Sequence, residues 1–225
     1  MDIIEITSTN NKKIKEVVTL IEKSKERRLC SLFIVEGVRE ITSCIKGGYK
    51  IKSLFYNNSI HTLDSIKELI PSISNINNPN NNICLYSLDA RVYSKIAYRE
   101  DTEGIVAQVE AKTFTLNDIK FNKRWDNPLI LILESIEKPG NIGALLRTAD
   151  ACGIDAVLIC EPQTDLYNPN LIRASLGGIF TNQVVCCSNS DALKWLRDNN
   201  IEIFTAQLQD SHFHTEESRK RRKAV

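Results

Sequence analysis

Long apolar runs are missing from this chain of 225 residues. None approaches the roughly 18 consecutive apolar residues of a membrane-crossing helix, so no membrane partner is expected. The first fifteen residues are broken by Asp2, Glu5, Asn10, Asn11, Lys12 and Lys13, which leaves no apolar core for a secretory signal. A cytoplasmic protein is expected. Histidine is scarce, with only His61, His212 and His214, and the seven cysteines (Cys30, Cys44, Cys84, Cys152, Cys160, Cys186 and Cys187) are odd in number and contain no Cys-x-x-Cys pair. That pattern argues against a disulfide framework and against a zinc site; buried, reduced thiols and no metal are expected. Charge of one sign is also lacking: 29 Lys and Arg face 28 Asp and Glu, for a net +1, which gives no global footprint for nucleic acid. The glycines spell neither Gly-x-Gly-x-x-Gly nor a Gly-Lys-Ser/Thr phosphate loop, which counts against a dinucleotide-dependent oxidoreductase or an ATP-binding fold.

The basic residues are unevenly placed. Lys12, Lys13, Lys15, Lys23, Lys25, Arg27 and Arg28 crowd the first helical segment, with Glu16, Glu22 and Glu26 among them. The segment is either a solvated, ion-paired helix face or a phosphate-contacting surface. Ser8, Thr9 and Asn10 are candidate caps for it, and Ile14, Val17, Val18 and Ile21 follow with helical spacing. Strands are expected at 32–35, 51–56, 83–86 and 105–109. Helices are expected at 38–45, stopped by Gly47 and Gly48, at 61–69 and at 89–97. The segment 71–82, rich in Asn, Ser and Pro, reads as a loop. These elements make a small α/β unit over residues 1–109, followed by a charged connector at 110–127.

From Pro128 strands and helices alternate. Residues 129–133 form an apolar run suited to a strand covered on both faces. A helix at 142–152, a strand at 156–160, a short helix from Pro169 capped by Asn168, a strand at 183–187, a helix at 191–199 and a strand at 201–205 follow. Four strands alternating with helices predict a parallel sheet with right-handed crossovers over 128–225.

Two stretches carry the chemistry. In 134–153 a buried strand runs through Pro139, Gly140 and Asn141 into a helix, at the carboxyl end of a parallel strand, where ligands gather in such sheets. Ile142, Leu145, Leu146 and Ala149 form the apolar stripe, so Arg147 points away from the core, with Gly143 expected to leave bare backbone beside its guanidinium. Asn141 is expected at the helix start, as a cap or a ligand contact. Taken singly, Asn141 reads as a cap, Gly143 as a packing site and Arg147 as an ion pair with Asp150; their joint pattern favours a site. In 165–180, Asn168 and Pro169 start a helix, Gly177 and Gly178 stop it, and Arg173 and Ser175 fall in its last turn.

Together these stretches resemble the first two signature motifs of the SpoU/TrmH family of RNA 2′-O-ribose methyltransferases. Asn141, Gly143, Arg147, Ala149 and Gly153 match the first, and Arg173, Ser175 and Gly177 the second. The run from Phe33 to Arg39, behind the basic helix, and Glu103 to Ala107 resemble the family's substrate-binding domain, a small α/β fold akin to certain ribosomal proteins. The resemblance implies an RNA substrate-binding domain at 1–109 and an α/β-knot methyltransferase domain at 128–225. It implies methyl transfer from S-adenosylmethionine to rRNA or tRNA, with a homodimer as the usual assembly. It assigns Arg147 and Asn141 to catalysis, and Arg173, Ser175, Lys12, Arg27, Arg28 and Arg39 to the substrate RNA.

The family's third motif, a glycine-rich strand end before an Ile-Pro segment and a Ser-Leu-Asn helix, has no match in the tail after Leu208. The expectation is therefore a partial methyltransferase domain without its final knot-forming segment, an uncovered sheet edge and no assigned cofactor-binding residue. It follows that this chain alone binds the cofactor weakly or not at all. The basic run Arg219 to Lys223 reads as a truncation or out-of-frame remnant rather than a nucleic-acid arm. The alternative function is a non-catalytic RNA-binding module.

Overall fold

Successive apolar residues of several strands belong to different cores. In the computed structural model, which describes residues 3–70, 83–98, 102–121, 127–206 and 223–224, two five-stranded sheets share a layer of helices. The first unit comprises β1 (Ile3–Ile6), α1 (Lys12–Glu22), α2 (Ser24–Cys30), β2 (Leu32–Glu36), α3 (Val38–Lys46), β3 (Ile51–Asn57), α4 (Leu63–Leu69), β4 (Cys84–Leu88), α5 (Ala90–Tyr93) and β5 (Ile105–Glu110). Its strand order is β1-β4-β3-β5-β2. The β1–β4 and β3–β4 pairs are parallel, and β5 runs antiparallel to both β3 and β2.

The second unit follows a 3-10 turn at Leu116–Asp118. It comprises β6 (Leu129–Glu134), α6 (Pro139–Cys152), β7 (Ala156–Cys160), α7 (Pro169–Ser175), α8 (Gly178–Thr181), β8 (Val184–Cys187), α9 (Asn189–Asp198), β9 (Glu202–Ile203) and β10 (Lys223–Ala224). Its order is β8-β7-β6-β10-β9, and every pair is parallel. The parallel sheet predicted from the alternation is present, with one strand more than expected. Lys223–Ala224 lies between β6 and β9 and pairs with both.

Burial explains the strand patterns. Along β7, Val157 and Ile159 face a core shared with the first unit, whereas Ala156, Leu158 and Cys160 face the α9 side. Along β2, Phe33 and Val35 face the shared core and Ile34 faces α1. The shared core draws on Phe33, Leu54 and Val109 of the first sheet, Leu133, Val157 and Val184 of the second, and Ile41, Ile142, Leu146 and Leu171 of the helices between them. An aromatic seam joins the units: Phe33 stacks on Tyr167 at 4.1 Å and 14°, and Tyr49 meets Phe180 edge-on at 5.2 Å. The Tyr167 hydroxyl donates to the Lys112 carbonyl at 2.7 Å and accepts from the Lys112 N–H at 3.0 Å. Burial pushes the phenols of Tyr49 and Tyr167 up, so both stay protonated.

Several expectations change. Asn11, not Ser8, Thr9 or Asn10, caps α1, its Oδ1 accepting from Lys13 N–H at 2.8 Å. Strand β1 was not foreseen. The helix expected at 89–97 is a single turn at Ala90–Tyr93, capped by Asp89, and the strand expected at 201–205 is Glu202–Ile203. The loop read at 71–82 and the basic residues 219–222 lie outside the described residues. The cysteines are free, but only Cys44 and Cys160 are buried; Cys30, Cys84, Cys152 and Cys186 are exposed. Cys30 and Cys152 end helices and Cys84 begins a strand, where apolar neighbours in sequence do not bury a side chain.

Candidate functional site

Helix α6 starts one turn earlier than its periodicity suggests. Pro139 occupies its first position, where the missing N–H costs nothing, and Lys138 precedes it as the cap residue. Asn141 therefore sits inside the first turn and does not cap the helix. Ile142, Leu146 and Ala149 are buried as the stripe predicts, and Arg147 is exposed. The ion pair with Asp150 does not form: Asp150 Oδ1 accepts from Thr181 Oγ1 at 2.6 Å.

Gly143 does not leave bare backbone beside Arg147. It is buried against α7, where a β-carbon would stand 2.5 Å from the Leu171 carbonyl oxygen and 2.6 Å from Ala174 Cβ. That approach lays α7 along α6. Asn168 caps α7, its Oδ1 accepting from Asn170 N–H at 2.9 Å, and Leu176 ends it in the left-handed conformation. Gly177 follows at φ 92°, with its α-carbon against Ser43 of α3; a β-carbon there would meet Ser43 Oγ at 2.6 Å. Two close contacts thus fix where the end of α7 sits relative to α6 and α3.

The result is an open cleft of about 840 Å³ lined by Arg39 of α3, Lys138, Asn141 and Arg147 at α6, and Asn170, Arg173 and Leu176 at α7. Among the described residues four cations from both units line it, and no carboxylate does. Arg39 is held by Glu40, a fully buried residue, at 2.7 Å. Arg147, Arg173 and Lys138 take no ion pair among the described residues. A protein of net charge +1 thus concentrates positive potential at one place, as binding of a polyanion requires.

Of the residues singled out from sequence, Asn141, Arg147, Arg173 and Arg39 share this cleft. Ser175 does not: it is 1% exposed and its hydroxyl donates back to the Ile172 carbonyl at 2.8 Å. Nor does Arg27, which is 3% exposed; its guanidinium donates to the carbonyls of Leu20 and Ile21 at 2.7 and 2.9 Å and pairs with Asp165 at 2.5 Å. Neither is available to a phosphate. Lys12 and Arg28 are exposed on α1 and α2 but do not line the cleft; Arg28 borders a separate cavity of about 350 Å³ with Tyr49, Lys112 and Tyr167. Sequence reasoning missed Lys138 and Asn170, although each adjoins a proline that starts a helix, a visible signal.

At the carboxyl ends of β6 and β7, Ser135 and Glu161 adopt positive φ of 50° and 47°, turning the chain sharply. Asn189 ties the two ends together. Its side-chain N–H donates to Glu134 Oε1 at 2.6 Å, and its backbone N–H donates to Glu161 Oε1 at 2.9 Å. Both carboxylates are exposed. Below them, burial pushes the Cys160 thiol up to about 12, with Cys187 Sγ 3.9 Å away, so this part of the sheet end is neutral.

Known proteins resemble this chain in sequence and fold. The MRM3-like substrate binding domain matches residues 11–107, and the SpoU rRNA Methylase family matches residues 128–225. A mitochondrial rRNA methyltransferase 3 of Xenopus laevis is 25% identical over 196 residues, 87% of this chain and 45% of that protein. The 23S rRNA (guanosine(2553)-2′-O)-methyltransferase RlmP of Bacillus subtilis is 25% identical over 209 residues, 92% of this chain and 74% of that protein. The chain thus spans less than half the length of the first and about three quarters of the second. A solved RNA 2′-O ribose methyltransferase superposes with a TM-score of 0.75 at 27% identity, over 99% of this chain and 81% of that one. One model thus spans the first sheet and the other the second: residues 11–107 match the MRM3-like substrate binding domain and residues 128–225 match the SpoU rRNA methylase family.

Proposed function

We propose that this protein transfers a methyl group from S-adenosylmethionine to a ribose 2′-hydroxyl of RNA, rRNA or tRNA, in the cytoplasm. The observation that carries the reading is the convergence of Asn141, Arg147 and Arg173 with Arg39 of the other unit in one cleft where the described residues place no carboxylate. In this reading residues 1–109 hold the RNA, 128–225 perform the transfer and 110–127 connect them. Homodimerisation rests on the family resemblance alone, and sedimentation checks it.

A 2′-hydroxyl is a poor nucleophile near neutral pH and must give up its proton, in this reading to solvent water at the open cleft, as the new bond forms. Arg147 is a weak candidate for taking that proton, because a guanidinium stays protonated in nearly any protein site. Its role is to stabilise the negative charge growing on the ribose oxygen, a preorganised electrostatic contribution. Asn141, with an amide donor and acceptor, orients the ribose or the Arg147 guanidinium. Arg173, Lys138 and Arg39 hold the neighbouring phosphates.

S-adenosylmethionine supplies, when bound, a methyl group activated by the adjoining sulfonium. The strand ends fit the charge of that group: Glu134 and Glu161 are exposed carboxylates at the ends of β6 and β7, where open parallel sheets take their ligands. Those two residues would face the sulfonium side.

The test is incubation of the purified chain with methyl-labelled S-adenosylmethionine and bulk RNA. Label in the RNA is the outcome of this reading, and it would overturn the expectation that the chain alone binds the cofactor weakly or not at all. Salt-sensitive RNA binding without label would make the chain a binding module, and neither binding nor label would reject both readings.

A further inference from the structure

Tyr98 is the one aromatic among the large apolar side chains that the described residues leave exposed, at 39%. It is nevertheless held at two points. Its backbone N–H donates to Glu36 Oε2 at 2.8 Å, and its phenol donates to Asn170 Oδ1 at 2.6 Å. A residue of the first unit is thereby tied to the first turn of α7 in the second. Asn170 also lines the cationic cleft, and Arg173 borders both that cleft and the small pocket beside the Tyr98 ring.

Cations beside an exposed, immobilised aromatic ring are what unpaired RNA requires of a protein surface. The cations follow the phosphates, and the ring takes the face of a base that has left its stack. In a continuous A-form helix the base faces are covered by their neighbours, so the ring would have nothing to contact. We propose that Tyr98 is the stacking platform for an unpaired base next to the ribose that enters the cleft. The substrate is then a single-stranded or looped RNA segment rather than an uninterrupted duplex. The inference rests on the cleft being the RNA site.

The experiment measures binding of a single-stranded oligouridylate, and of an abasic strand of the same length, across a range of salt concentrations. The wild-type chain should prefer the oligouridylate. Tyr98→Leu should lose about tenfold in affinity for it, the scale of one base–aromatic stack, while its salt slope and its affinity for the abasic strand stay unchanged. Tyr98→Phe and Tyr98→Trp, which keep a ring but lose the phenol contact with Asn170, should stay within about threefold of wild type. Should Tyr98→Phe fall as far as Tyr98→Leu, the phenol acts only as a latch between the units and the proposal is overturned. It is overturned equally by Tyr98→Leu binding like wild type, or by wild type failing to distinguish the two strands, a result that needs no variant to fold. Salt-dependent binding with no effect of Tyr98 leaves the cleft reading standing, whereas a wild-type chain that binds neither strand removes both.

Discussion

Gly143 of α6 faces the Leu171 carbonyl of α7 so closely that a β-carbon would lie 2.5 Å from that oxygen. The contact sets the spacing between the two helices that carry Arg147 and Arg173. Alanine normally favours a helix over glycine by about 1 kcal/mol, so the sign of the effect is informative. Gly143→Ala should destabilise the protein by about 2 kcal/mol, the scale of overpacking against backbone. Gly140→Ala, where nothing lies within 4 Å of an added β-carbon, should stabilise it slightly. Urea denaturation of the two variants checks both signs.

Arg27 and Asp165 form a second tie between the units. With side chains 3% and 10% exposed, the pair is largely out of water, and removing one partner strands the other. Arg27→Met should cost about 3 kcal/mol, part of it from the carbonyls of Leu20 and Ile21 that lose their donor. Thermal unfolding of the variant measures this. Bulk RNA binding by whatever fraction remains folded should keep its wild-type salt slope, since Arg27 does not reach the cleft.

The cationic residues of the cleft should separate by role. Arg147→Lys keeps the charge but not the guanidinium fork, and should lower the turnover of methyl transfer by about a hundredfold or more. Arg173→Ala should instead weaken RNA binding and reduce the slope of log affinity against log salt by about one. Steady-state kinetics and salt titrations of the two variants distinguish these outcomes.

Thiol reactivity follows burial and the pKa shifts. Burial raises the thiols of Cys44 and Cys160, the latter to about 12. The reactive thiolate is therefore scarce at neutral pH, and for Cys160 it grows only as the pH climbs toward that value. Alkylation of the native chain should mark the exposed Cys30, Cys84 and Cys152 first, and reach Cys44 and Cys160 only in denaturant. Mass spectrometry of the labelled peptides reads the order.

The parallel sheet was legible because its strands are apolar on both faces and alternate with helices, one of them announced by Asn168–Pro169, whereas Pro139 read as part of a turn and not as the start of α6. Arg147 was legible because the stripe of Ile142, Leu146 and Ala149 leaves it outside. Ser175 misled, although its spacing from Leu171 and Ile172 puts it on the buried face of α7. Arg27 misled for a different reason: its partner Asp165 lies 138 residues away, and a basic run shows nothing of a distant acid. The Gly143 contact and the seam of Phe33, Tyr49, Tyr167 and Phe180 were equally hidden, since each depends on which elements the fold brings together. Strand β10, two residues long in a basic tail, carries no apolar signal of its own.

In the proposed reaction the Arg147 cleft directs a methyl group to a ribose oxygen. A methylated 2′-oxygen cannot attack the adjoining phosphate, so alkaline hydrolysis leaves such sites as dinucleotides. RNA treated with the wild-type chain and methyl-labelled cofactor should carry its label in alkali-resistant dinucleotides, and RNA treated with Arg147→Ala should carry almost none. Label released in mononucleotides, or undiminished transfer by the Arg147 variant, would rule that reaction out.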